Sequence, residues 1–140
     1  MKKYIFLLFL IPLIGGCSKD SVVNNNNPYL PNYQVLITID TNLPSYSPLK
    51  FTNGSAYIAG PTAGIRGIIL FNTGTGITAF DRACPNQSLS ECSTMDVDGI
   101  FAVCSCDNKK YSLFTGIGDG QYPMKQYRTE QMGTLIRVFN

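Results

Sequence analysis

Histidine does not occur among the 140 residues. Its absence removes the commonest neutral metal ligand and the usual general base near neutral pH, so histidine-dependent catalysis and metal binding are excluded. Charge is scarce as well, at 14% of residues. No basic stripe or aromatic-interleaved basic cluster is visible, and Lys109-Lys110 is a lone pair suited to a solvated turn. Nucleic acid is therefore not an expected partner. No long segment keeps a helical period between caps, which argues against an all-α or α/β fold. No apolar run reaches the roughly 18 to 20 residues that a transmembrane helix needs.

What is present begins with Lys2 and Lys3, followed by an apolar run over residues 4–14 (YIFLLFLIPLI) that contains Pro12. This is the layout of a secretory signal peptide. The order Ile14-Gly15-Gly16-Cys17 resembles a lipobox, which implies cleavage after residue 16 and diacylation of the Cys17 thiol. Acyl chains hold a soluble domain at a bilayer, since each buried methylene adds roughly 0.8 kcal/mol. The expected contact with the membrane is thus a lipid anchor at Cys17. Residues 17–33 are polar, carry an asparagine run at 24–27, and read as a flexible tether. The start Cys17-Ser18-Lys19-Asp20 resembles the tethers of Bacteroidota surface lipoproteins, which implies an outer-membrane location in the cell envelope. Lys2 and Lys3 belong to a set of 11 basic residues against 9 acidic ones, so cleavage leaves no net formal charge.

Residues 34–140 suffice for one domain with a single core. Apolar and β-branched residues come there in short runs at 34–40, 55–59, 66–71, 76–81, 99–103, 110–114 and 134–139. Val35, Ile37 and Ile39 share one face of the first run. Asn53-Gly54, Asn72-Thr73-Gly74, Asp98-Gly99, Asp107-Asn108 and Met132-Gly133 punctuate the runs as turns. The expected fold is all-β, an antiparallel sandwich or small barrel. Residues 82–97 are long, polar and cysteine-bearing, and read as a stapled or functional loop rather than a strand pair. The Gly74-Thr75-Gly76 and Gly116-Ile117-Gly118-Asp119-Gly120 patterns lack the strand before and helix after that a dinucleotide site requires, and read as loops. Asp96, Asp98, Asp107 and Asp119 fit turn chemistry without an EF-hand spacing, and the scattered tyrosines are ordinary in a β domain. No catalytic set is assigned, and the chain reads as something other than an enzyme.

Four cysteines, Cys84, Cys92, Cys104 and Cys106, remain in the domain of an exported chain, which points first to disulfides. Four cysteines permit three connectivities. Cys104 and Cys106 are poorly placed to pair with each other, because alternate strand residues point the same way but lie too far apart. Two other readings stay open: a four-cysteine zinc or iron–sulfur site, and thiol redox chemistry at Cys104-Ser105-Cys106.

The order GIILFNTGTGITAFDRACPN, a loop, and FAVCSCDNKKYSLFTGIGDGQYPMKQYRTEQMGTLIRVFN resembles the Rieske iron–sulfur domain from Gly67 to Asn140. That family presents a C-P-H box, a C-P-x-H-G box and following strands. Cys84 falls on its first cysteine ligand and Asn86 on the histidine two positions later. Cys104 falls on its second cysteine ligand and Asp107 on the histidine three positions later. Residues 111–116 (YSLFTG) and 123–127 (PMKQY) match the stretches after the second box. Cys92 and Cys106 match an extra pair by which some Rieske domains tie the two loops together, although Cys92 follows Cys84 at a wider spacing. The resemblance implies a Rieske-like β fold without its cluster, since a Rieske centre needs two imidazoles and neither an amide nor a carboxylate replaces them. It also implies Cys84 paired with Cys104 and Cys92 with Cys106. The expected role is a structural or protein-binding module in the envelope, with an outer-membrane protein as a partner. The alternative is an electron-transfer protein with a non-standard [2Fe-2S] or other four-cysteine metal site.

Overall fold

The computed structural model describes residues 26–140. The apolar run, Cys17 and most of the tether lie outside the described residues. Among the described residues nine strands and one short 3-10 helix form, in the order β1 (Leu36–Asp40), the helix (Ser47–Lys50), β2 (Ser55–Ile58), β3 (Ile68–Asn72), β4 (Ile77–Asp81), β5 (Met95–Asp98), β6 (Phe101–Cys104), β7 (Lys110–Ser112), β8 (Gln126–Met132) and β9 (Leu135–Phe139). They build a curled six-stranded antiparallel sheet, ordered β1-β9-β8-β4-β3-β2, and a three-stranded sheet, β5-β6-β7. The expected all-β class is the one observed. Among the described residues no helix is long and apolar enough to cross a membrane.

β3 explains the architecture. Its residues Ile68, Ile69, Leu70 and Phe71 are all fully buried, so the strand reads as a continuous apolar run instead of an alternating one. Ile68 and Leu70 enter one core with Val35, Ile39, Leu49, Ile136 and Val138, inside the curl of the large sheet. Ile69 and Phe71 enter a second core with Phe80, Met95, Ala102, Tyr111 and Leu113, between the two sheets. β4 divides its side chains the same way, Ala79 to the first core and Phe80 to the second. The small sheet is thereby fixed against the back of the large one, with its Cys84- and Cys104-bearing end held by the second core.

Three features depart from the sequence expectations. Residues 95–97, placed in a long loop, belong to β5, whose register sets Met95 opposite Cys104 and Asp98 opposite Phe101. An isolated bridge between Ala83 and Thr94 closes the remaining loop at its base, and the Arg82 guanidinium ties it further by donating to Met95 O and the Asp96 carboxylate. β8 carries few apolar residues and is a strand because it pairs with β9 across the Met132-Gly133 turn and with β4. Finally, residues 26–33, assigned to the tether, lie on the domain. Leu30 is buried, Asn27 Nδ2 donates to Pro85 O at 2.7 Å, and Asn140 Nδ2 donates to Tyr33 O at 2.7 Å.

Candidate functional site

Two loops meet at one end of the small sheet. The first follows β4 through Arg82 and Ala83 to Cys84-Pro85-Asn86. The second leaves β6 through Cys104-Ser105-Cys106-Asp107 and turns tightly, with Asn108 N donating to Cys104 O at 2.9 Å and Cys104 N donating to Lys109 O at 2.9 Å. Asn108 takes a left-handed conformation, φ 58°, which asparagine tolerates better than most residues. Asp107 accepts the Lys109 amide at 3.1 Å and pairs with the Lys109 ammonium at 3.4 Å, so its carboxylate is used within its own turn.

The cysteines are joined in pairs. Cys84 and Cys104 form a disulfide with Cα atoms 5.6 Å apart, and Cys92 and Cys106 form a second with Cα atoms 5.0 Å apart. Both separations lie in the ordinary disulfide range. The two bridges differ in environment: Cys84 and Cys104 are buried in the second core, whereas Cys92 is exposed, with Ser90 Oγ beside both Cys92 and Cys106 sulfurs. Because a thiolate must reach the sulfur it attacks, mild reductant is expected to open Cys92–Cys106 well before Cys84–Cys104. Timed alkylation followed by peptide mass mapping checks this; simultaneous labelling of all four cysteines would refute it.

Asn86 holds the centre of the site. Its amide nitrogen donates to Tyr122 O and to Tyr111 Oη, each at 2.8 Å, while its Oδ1 accepts the Tyr122 amide at 2.8 Å. The side chain therefore pairs with the Tyr122 backbone as a neighbouring strand would, and clamps the first loop to residues 120–122. Gly120 is required there, since a Cβ would run into the Asn86 amide. Burial raises the Tyr111 phenol above its ordinary value, opposed by the Asn86 hydrogen bond and reinforced by the negative charges of Asp107 and Asp119. Asn86→Ala leaves the Tyr122 peptide and Tyr111 hydroxyl in search of partners at roughly 1–3 kcal/mol per buried unsatisfied group. An expected loss of about 2 kcal/mol, read from the urea midpoint, allows for water at this half-buried position.

Sequence reasoning located Cys84, Asn86, Cys104 and Asp107, but not the partners that occupy Asn86 or the role of Asp81. The Asp81 carboxylate is fully buried and accepts Ile65 N at 2.7 Å, Ala83 N at 2.9 Å, Arg66 N at 3.2 Å and Tyr127 Oη at 2.8 Å. It thereby fixes the point at which β4 gives way to the first loop. A signal was available: Asp81 shares the inward face of β4 with Ala79.

The fold defines a Rieske-like antiparallel β domain. No family model matches the chain, and no curated protein matches it. Among solved structures it is similar to a chain in the complex of reduced oxygenase and oxidized ferredoxin in carbazole 1,9a-dioxygenase, with TM-score 0.51, 13% identity, and coverage of 76% of this chain and 94% of that one. The ferredoxin of carbazole 1,9a-dioxygenase from Nocardioides aromaticivorans is also similar, with TM-score 0.46, 12% identity, and coverage of 76% and 97%.

The donor set in this chain does not fit a Rieske cluster. The two sulfurs at the ligand positions are bonded to each other, the Asn86 amide is saturated by Tyr111 and Tyr122, and Asp107 is paired with Lys109. The four-cysteine metal site does not fit either, because all four sulfurs are spent in bridges. Among the described residues no group of three or more cysteine, aspartate or glutamate side chains is placed to hold a metal ion.

Proposed function

We propose that this protein is an envelope lipoprotein, anchored to the outer membrane through Cys17, whose Rieske-like domain serves as a structural or protein-binding module without a cluster. The observation that carries the cluster-less part is the Asn86 amide. Its hydrogen bonds to Tyr111 and Tyr122, beside the Cys84–Cys104 bridge, supply the cross-linking that a metal centre would otherwise supply. The anchoring part rests on the signal peptide over residues 1–16 and the lipobox-like Ile14-Gly15-Gly16-Cys17.

Native protein purified from membranes tests both parts. Non-reducing mass spectrometry is expected to find the Cys84 and Cys104 peptides linked, and the amino-terminal peptide carrying acyl chains on Cys17. Cys17→Ser is expected to move the protein out of the membrane fraction. Stoichiometric iron with iron–sulfur absorbance would overturn the cluster-less reading in favour of electron transfer.

A further inference from the structure

We infer that Lys125 and Asn32 are the two ends of an isopeptide cross-link, which the protein forms by itself when the Lys125 amine displaces ammonia from the Asn32 side-chain amide. The fold brings these residues together from 93 positions apart, and Lys125 Nζ donates to Asn32 Oδ1. Lys125 is 3% exposed and is the one buried cation among the described residues. None of the ion pairs formed there includes it. A carboxylate does stand nearby, since Lys125 continues the β4–β8 pairing and its carbonyl accepts Asp81 N at 2.8 Å. The oxygens of Asp81, however, are spent on Ile65, Arg66, Ala83 and Tyr127. The lysine is thus left facing an amide instead of a counter-ion.

That setting favours the reactive form of each partner. Burial lowers the Lys125 ammonium below its ordinary pKa, against the opposing charge of Asp81. The neutral amine so favoured is the nucleophilic form. The amide is held in place for it. On one side of Asn32 stand the buried Leu30 and Pro31, whose ring fixes the backbone. On the other, Asn140 Nδ2 donates to Tyr33 O at 2.7 Å and Asn140 Oδ1 accepts Val35 N at 2.9 Å. The Asn32 Cγ lies one carbonyl bond, about 1.2 Å, beyond the Oδ1 that Lys125 already touches. Positioning of this kind is what the reaction needs, because well-oriented groups reach effective concentrations of about 10⁵–10⁸ M.

The step balances without oxidant, reductant or co-reactant. The Lys125 Nζ lone pair forms a bond to Asn32 Cγ, the Cγ–Nδ2 bond breaks, and a proton from Nζ passes to the departing Nδ2. Ammonia leaves directly to solvent, since Asn32 is exposed. The product fastens residues 26–33 to the start of β8, a strand flanked by β9 and β4 within the large sheet. Given the anchoring of Cys17 proposed above, a pull on the tether would then be carried by the sheet. That use of the bond rests on the anchor, whereas the bond itself does not.

Trypsin reads the bond directly. Cleavage after Lys19, Lys50, Lys110 and Arg128 releases fragments 20–50 and 111–128, and a Lys125 in amide linkage resists the enzyme. The four domain cysteines fall in fragment 83–109, so the disulfides do not confuse the result. Folded full-length protein, reduced before digestion, is expected to yield 20–50 joined to 111–128, lighter than their sum by one ammonia. Asn32→Asp is expected to give the same link with loss of one water. Lys125→Arg, which keeps the charge, is expected to give no link and a reduced chain that migrates more slowly in a denaturing gel. Separate fragments 20–50 and 111–125 from the folded parent protein would overturn the inference, whether or not the variants fold. Because fragment 20–50 begins beyond Cys17, a missing link leaves the anchor standing, and an unacylated Cys17 leaves the link standing.

Discussion

Replacing Cys84 and Cys104 together by alanine is expected to lower the unfolding free energy by about 3 kcal/mol through release of the chain they close, with a smaller loss of packing on top. The bridge joins residues 20 apart and the Cys92–Cys106 bridge joins residues 14 apart. In the chain-entropy account each such closure removes about 3 kcal/mol of freedom from the unfolded state. The double alanine variant leaves no unpaired thiol, and it also removes two buried sulfurs packed with Met95 and Tyr111 in the second core, so the loss exceeds the entropic part alone. Because folded contacts elsewhere persist, the variant stays β-rich by circular dichroism while its urea midpoint falls. Cys92→Ala with Cys106→Ala is the matched comparison at the less buried bridge, where Cys92 is exposed and Cys106 is partly buried against the second core. Midpoints indistinguishable from the parent in both variants would show that the bridges do not stabilise the fold.

Asp81→Ala is expected to cost more, about 3–5 kcal/mol, since it leaves three backbone N–H groups and a phenol without their acceptor in a site closed to water. Asp81→Asn retains one acceptor oxygen but turns an NH2 toward the donors, and its expected loss is nearly as large. A Cβ on Gly64 would run into both the Asp81 carboxylate and the Tyr127 hydroxyl, so the local backbone is built around this pair. The same pair sets a pH limit. Burial first, then the Asp81 charge and hydrogen bond, raise the Tyr127 phenol far above its ordinary value of 10.0. A raised folded value means that the unfolded chain ionises first, so this contribution to stability is complete below pH 10 and is lost progressively as pH rises above it. Tyr111, raised mainly by burial, acts in the same direction. Denaturant midpoints of the parent are expected to fall above pH 10, and those of Tyr127→Phe to fall less steeply; parallel curves would refute the assignment.

Much of this fold was legible because burial wrote it into the chain. The run into β1 alternates with Val35, Ile37 and Ile39 inward, β3 is apolar from Ile68 to Phe71 because both its faces are covered, and the Asp98-Gly99 and Met132-Gly133 steps mark real hairpins. β5 and β8 were not legible, since neither has enough apolar residues to announce itself and each is a strand through hydrogen bonds to its neighbours. The docking of residues 26–33 was hidden for a similar reason. Asparagines that compose well as a linker also donate well to a carbonyl such as Pro85 O, and composition does not distinguish the two.

By itself the sequence determined the β class, the absence of imidazole chemistry, and the four cysteine positions together with Asn86 and Asp107, which the resemblance to a Rieske domain sets at its ligand positions. Only the tertiary structure decided among the three cysteine pairings, because connectivity depends on which sulfurs two separate loops bring within bonding distance. It also decided what Asn86 does, for its partners Tyr111 and Tyr122 stand 25 and 36 residues along the chain and are neighbours only once the small sheet has folded against β4. Residue type follows from local chemistry, whereas the occupancy of a side chain's hydrogen bonds is a property of the assembled core.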